Sequence, residues 1–114
     1  MYRVVVIEGK KIPMKSTGRT ARLYSQYFHK DFLSAVFGLL KLKNGEITDT
    51  NIFDELSWVL AKTANENIPD IDEWLEQFDS PMSIFMKSQE IFGLINKSFT
   101  TTINPKKKKN QTRK

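Results

Sequence analysis

Few side chains in this 114-residue chain can do chemistry, and their spacing does not assemble a catalytic centre. His29 is the only histidine. Near the end of a helical stretch, a lone histidine reads as a surface or capping residue rather than a metal ligand or general base. The carboxylates form no clear pair. Asp54 and Glu55 are adjacent on a predicted helix and so diverge. Asp70, Asp72, Glu73 and Glu76 make an acidic first turn and outer face, which a helix dipole favours without any metal. After Asp70-Ile71-Asp72 the calcium-loop pattern is not continued. Gly18-Arg19-Thr20 invites comparison with a phosphate-binding loop, but the second glycine followed by Lys-Ser or Lys-Thr is missing. Hydrolase, zincin and dinucleotide signatures are absent as well. The chain has no cysteine, which excludes disulfides, thiolate metal sites and thiol nucleophiles. The expectation is a non-enzymatic protein with no cofactor.

Charge points the same way. The formal net charge is +5, but Lys106, Lys107, Lys108, Lys109, Arg113 and Lys114 place six positive charges in the last nine residues. Residues 1–105 then hold 12 basic against 13 acidic residues, a net of −1. Any argument for nucleic-acid binding therefore concerns the basic tail alone. Such a tail would bind phosphates in a salt-dependent way without sequence preference. It carries no interleaved aromatics for stacking on bases. The alternative reading is a solvated end that aids solubility.

The elements that must position these residues are short. A hydrophobic fraction of 39% and a length of 114 residues suit one domain with a modest core. Tyr2 to Ile7 is rich in β-branched residues and reads as a strand. Glu8-Gly9 turns the chain into a second strand carrying Ile12 and Met14, with Pro13 marking an edge. Two strands alone are marginal in water. The hairpin (2–15) must therefore pack on helices or pair with another copy, and both readings stay open. Ser16 or Thr17 can cap a helix with Leu23, Tyr24, Tyr27 and Phe28 inward. Asp31 can cap a second, with Leu33, Val36, Phe37 and Leu40 inward. Lys41 and Lys43 suit its C-terminal dipole, and Asn44-Gly45 stops it. Residues 46–49 form a polar link.

The centre of the chain is Thr50 to Phe78, read as two amphipathic helices. Ile52, Leu56, Val59 and Thr63 form the stripe of the first, widened by Phe53, Leu60 and Ala64. Ile71, Trp74, Leu75 and Phe78 form the stripe of the second, with Asp70 as its cap and Pro69 as the break. Ser80-Pro81 starts a last helix running to about Lys97, with Ile84, Phe85, Ile91, Phe92 and Ile95 inward. Gly93 within it marks a close helix contact. From Thr100 onward the like-charged sequence predicts disorder. The expected architecture is thus mainly α (α+β). It has an N-terminal β-hairpin, about five short helices packed as a small bundle (1–99), and a flexible Lys-rich tail (100–114). No signal peptide or apolar run long enough for a membrane span is present, so the expectation is a soluble, intracellular protein.

Trp74 reads as core. Trp58 flanks its stripe and reads either as core or as a partner contact, since tryptophan is enriched at binding hot spots. Trp58 and Phe53, with the hairpin residues Val5, Ile12 and Met14, are the candidate partner-binding residues.

The order of elements resembles a known family. The hairpin I-E-G-K-K-I-P-M-K is followed by T-G-R-T-A-R-L-Y, F-H-K-D-F, the helix with Trp58, I-P-D-I-D-E-W-L and a lysine-rich end. Over residues 2–98 this layout resembles the tail assembly chaperones of long-tailed phages and prophages of Gram-positive bacteria. The resemblance implies a non-enzymatic assembly factor acting in the host bacterial cytoplasm and absent from the mature virion. Its partners would be the tape measure protein and tail tube subunits, and it would form a homo-oligomer. It also implies a longer form made by frameshifting, for which the codons of Asn104 to Lys109 would offer an A-rich slippery run. The reading from another class is a small nucleic-acid-associated protein using its basic tail.

Overall fold

The computed structural model describes residues 1–43 and 51–103, with side chains described throughout except at 39–43 and 97–103. Strands β1 (Tyr2–Ile7) and β2 (Lys10–Lys15) pair antiparallel, with Val5 opposite Ile12 and Ile7 opposite Lys10. Both turn residues have positive φ, 53° at Glu8 and 78° at Gly9, as the right-handed twist of a two-residue hairpin loop requires. Glycine takes that conformation freely. Glu8 carries a left-handed backbone cost of roughly 1–2 kcal/mol. Alternation then divides the sheet: Val5, Ile7, Ile12 and Met14 are buried, while Tyr2, Val4 and Val6 face out. The hairpin rests on the helices, with β2 against α3 (Asn51–Ala64) and β1 against α5 (Ser88–Ile103).

Helix α3 is the hub. Besides β2 it packs on α1 (Gly18–Phe28), α2 (Phe32–Lys43) and α4 (Ile71–Leu75). Every residue from Leu56 to Ala61 is buried, so the expected stripe widens to nearly the whole circumference of the helix. Ser57 survives there because its hydroxyl donates to the Phe53 carbonyl at 2.8 Å. Each fully buried large apolar side chain in this helix contributes roughly 1.5–3 kcal/mol.

Helix α1 starts as expected. Thr17 is its N-cap, and a capping box joins Thr17 and Thr20. Thr20 Oγ1 accepts from the Thr17 amide at 3.0 Å and lies 3.1 Å from Thr63 Oγ1. Thr63 spends its only hydroxyl proton on the Val59 carbonyl at 2.7 Å. Thr20 is therefore the donor between the two threonines, and one chain of hydrogen bonds ties α1 to α3.

Four expectations about the helices are corrected. In α2 the Asp31 cap forms, its carboxylate accepting from the Ser34 amide at 3.0 Å. The buried face, however, is Ala35 and Val36 with Phe32 packed beside them, while Leu33 and Phe37 stand 45% and 54% exposed. Almost every position of FLSAVFGLL is apolar, so periodicity cannot set the phase. The edge of Phe32 against the Tyr24 ring, 5.9 Å between centroids, sets it instead. The expected second central helix is only the short α4. Beyond Leu75 the chain tightens into a three-residue bond from the Phe78 amide to the Leu75 carbonyl, which keeps Phe78 buried. Asp70 occupies the N-cap position of α4 without a side-chain hydrogen bond.

Third, the last helix is not continuous from Pro81. Ser80 caps a turn, its hydroxyl accepting from the Met82 amide, and a 3₁₀ segment (Phe85–Lys87) precedes α5. Helix α5 then runs through Ile103, past the expected end near Lys97 and into the stretch from Thr100 expected to be disordered. After Gly93 the first residue incompatible with a helix is Pro105. Fourth, a Cβ added at Gly93 would meet no described side chain or neighbouring backbone within 4 Å, so no close helix contact calls for a glycine there. The glycine at a close helix contact is Gly38 of α2, where an added Cβ would lie 3.2 Å from Ile52 Cδ1 of α3. The expected link at 46–49, the stop at Asn44-Gly45 and the basic tail lie outside the described residues. So do the side chains of Leu40, Lys41 and Lys43.

Candidate interaction surfaces

All five candidate partner-binding residues are inside the core. Val5, Ile12 and Met14 form the inner face of the hairpin, and Phe53 packs its ring against Phe85 and Phe92. Trp58 is 1% exposed. Its indole N–H donates to the Pro69 carbonyl at 2.9 Å, pinning the link between α3 and α4. Tyr27 and Phe28 meet it edge-on, with centroids 5.1 and 5.6 Å away. A partner reaches none of these five without opening the fold.

The large apolar side chains that do reach solvent are different ones. The outer face of the hairpin presents Tyr2, Val4 and Val6. Leu33 and Phe37 stand one turn apart on the outside of α2. Met82, Phe85 and Met86 project from the turn before α5, with Met86 78% exposed.

Two clefts of opposite charge flank α3. One, of about 550 Å³, lies between α1 and the C-terminal end of α3, lined by Arg19, Arg22, Leu23, Gln26, Tyr27, Lys62 and Glu66. Its α1 residues follow helical spacing along one face. Lys62 lies 5.6 Å from the Tyr27 ring centroid and 5.7 Å from that of Trp58. Its ammonium donates to the Glu66 carbonyl at 2.8 Å. Arg19 sits 3.8 Å from the Glu66 carboxylate in a solvent-exposed pair of small energetic weight. Arg22 makes no ion pair among the described residues.

The other cleft, about 280 Å³, is lined by Asp54, Leu75, Glu76, Phe78, Asp79, Ser80, Pro81 and Ile84. Half-burial pushes the Asp54 carboxyl above its ordinary range, and the adjacent Glu55 charge adds to the shift. Glu8 reaches this region from the hairpin turn. Its carboxylate accepts from the Asp79 amide at 2.9 Å, the Ser80 amide at 3.0 Å and the Ser83 hydroxyl. The Ser83 hydrogen bond, then the two amides, hold its pKa down at about 2. Asp54 and Glu55 diverge as expected. Glu55 accepts from the Tyr24 hydroxyl at 2.8 Å and pairs with Lys30 at 3.1 Å. His29 is the exposed C-cap of α1 with φ 55°, matching its reading as a capping residue. Asp70, Asp72, Glu73 and Glu76 are exposed, and no group of His, Cys, Asp or Glu among the described residues could hold a metal ion.

Sequence reasoning missed the basic cleft and the Glu8 contact. The helical spacing of Arg19, Arg22 and Gln26 was a signal for half of the cleft. Nothing local announced that Lys62 would face them. No helix among the described residues is long and apolar enough to cross a membrane. Comparison with protein-family models, curated proteins and solved structures finds no match for the chain.

Proposed function

We propose that this chain is a non-enzymatic binding protein that holds amphipathic segments of a larger partner, in the manner of a phage tail assembly chaperone. The observation that carries this reading is the display of large apolar side chains on a helical body. Leu33 and Phe37 are exposed at helical spacing, and Met82, Phe85 and Met86 cluster at a turn. Exposed apolar groups of this kind serve helix-binding proteins, and the unbranched methionine side chain adapts to varied partners. The layout of hairpin, helices and basic end supports the same family. On this reading the partners are the tape measure protein and tail tube subunits. The protein acts in the host bacterial cytoplasm, and the mature virion lacks it. The outer face and free edges of the two-stranded hairpin supply a contact between copies.

The six positive charges in the last nine residues favour a second reading, a nucleic-acid-associated protein acting through its tail. Co-expression with the tape measure protein of the same phage or prophage separates the two. The first reading expects a soluble complex that survives deletion of residues 104–114. No complex, with nucleic acid retained at low salt and lost on that deletion, would sink it in favour of the second.

A further inference from the structure

We propose that the cleft between α1 and the end of α3 is the seat of an acidic amphipathic helix from a protein partner. This rests on the reading that the chain binds helical segments of another protein. It names the chemistry of the segment and the place where it docks.

The argument is one of charge and shape. Residues 1–105 carry a net charge of −1, yet this cleft gathers Arg19, Arg22 and Lys62 against the single carboxylate of Glu66. Arg22 has no acidic partner among the described residues, and the hold of Glu66 on Arg19 is long and solvent-exposed. Two guanidinium groups one turn apart match two carboxylates one turn apart on a neighbouring helix, each pair able to form a forked contact. The wall from Arg19 to Tyr27 runs straight along α1 for about 12 Å at 1.5 Å per residue, the length of two helical turns. Between the cations, the half-exposed ring of Tyr27, beside buried Leu23, gives the apolar contact for the partner's own apolar stripe.

A nucleic acid fits less well. Lys62 stands over the Tyr27 ring, leaving less of it for base stacking, and Glu66 would face the phosphates. Contacts within the chain hold the walls of the cleft. Tyr27 rests edge-on against buried Trp58, and Lys62 is tied to the Glu66 carbonyl.

The test uses the full chain and a fluorescein-labelled amphipathic helical peptide with glutamates one turn apart beside a leucine stripe. Anisotropy titrations compare it with the same peptide carrying glutamine and with oligothymidylate. The expected result is binding of the glutamate peptide, weakened by salt, and roughly tenfold weaker binding of the glutamine peptide. Arg22→Glu, at an exposed position, is expected to weaken the glutamate peptide roughly tenfold while leaving the unfolding midpoint unchanged. Equal binding of the two peptides, indifference to Arg22→Glu or no binding at all overturns the proposal. So does oligothymidylate displacing the peptide from the same residues. A soluble partner complex unaffected by Arg22→Glu would remove this site and leave the functional reading standing. Peptide binding at Arg22 with no soluble partner complex would do the reverse.

Discussion

The two clefts at the ends of α3 share a helix and solve opposite electrostatic problems. At the C-terminal end, Lys62 brings its ammonium near the Tyr27 and Trp58 rings and to a backbone carbonyl. A long cationic side chain can cover apolar surface and still keep its charge solvated. At the N-terminal end, Asp54 also has the sign that the helix dipole favours, yet its carboxyl is pushed up by burial. Its short side chain stays half-buried beside Leu75 and Phe78, which line the same cleft. Glu8, exposed at the hairpin turn beside that cleft, shifts the other way because a hydroxyl and two amides are aimed at its carboxylate. The lesson is that local solvation and directed hydrogen bonds outweigh the helix dipole in deciding whether a charge is comfortable.

That contrast can be broken most severely through Trp58, the ring beneath the basic cleft. Trp58→Ala is expected to cost about 3–5 kcal/mol, read from the urea unfolding midpoint. It removes the surface on which Tyr27 and Lys62 rest and leaves the Pro69 carbonyl without its donor. A cost below about 1 kcal/mol would mean that the tryptophan is not the floor described here.

A smaller change tests the acid that is well held. Because the folded pKa of Glu8 lies at about 2, below its ordinary 4.5, its carboxylate adds stability above pH 4.5 that is lost as the pH falls towards 2. Glu8→Gln should therefore melt below the native protein at neutral pH, with the gap closing through that window. A gap of constant size across the series would show that the carboxylate charge is not what holds the hairpin turn to Ser83.

The smallest effect is expected at the acid that is poorly held. Asp54 has its folded pKa raised above the ordinary 3.8, so ionisation penalises the fold. The penalty is absent below that ordinary value and fully present once the pH exceeds the folded pKa. Asp54→Asn should match the native protein in acid and be slightly more stable at neutral pH, as thermal melts at both would report. A variant less stable at neutral pH would reverse the comparison between the two ends of α3.

Much of the fold was legible because its causes lie within a few residues. Alternation placed Val5, Ile7, Ile12 and Met14 on one face, Thr17 and Thr20 formed a capping box, and Asp31 capped α2. The candidate contact residues turn out to be buried for a related reason. Trp58 and the inner hairpin residues are apolar enough for a core or an interface, and composition does not distinguish the two. Their neighbours do: Pro69 takes the indole proton, and Tyr27 and Phe28 close over the ring.

The sequence by itself determined the hairpin and its turn, the start of α1 and α2, and α3 as an amphipathic helix with a widened apolar stripe. These depend on backbone hydrogen bonds, caps and side-chain periodicity that act over one or two turns. Only the tertiary structure decided which side of α2 is inward and where the glycine contact falls. It alone brought the Glu8 carboxylate to Ser83, 75 residues away, and set Arg19 and Arg22 opposite Lys62. Those outcomes follow from how whole helices dock on α3, and docking depends on the summed shape of many side chains rather than on any short run of them.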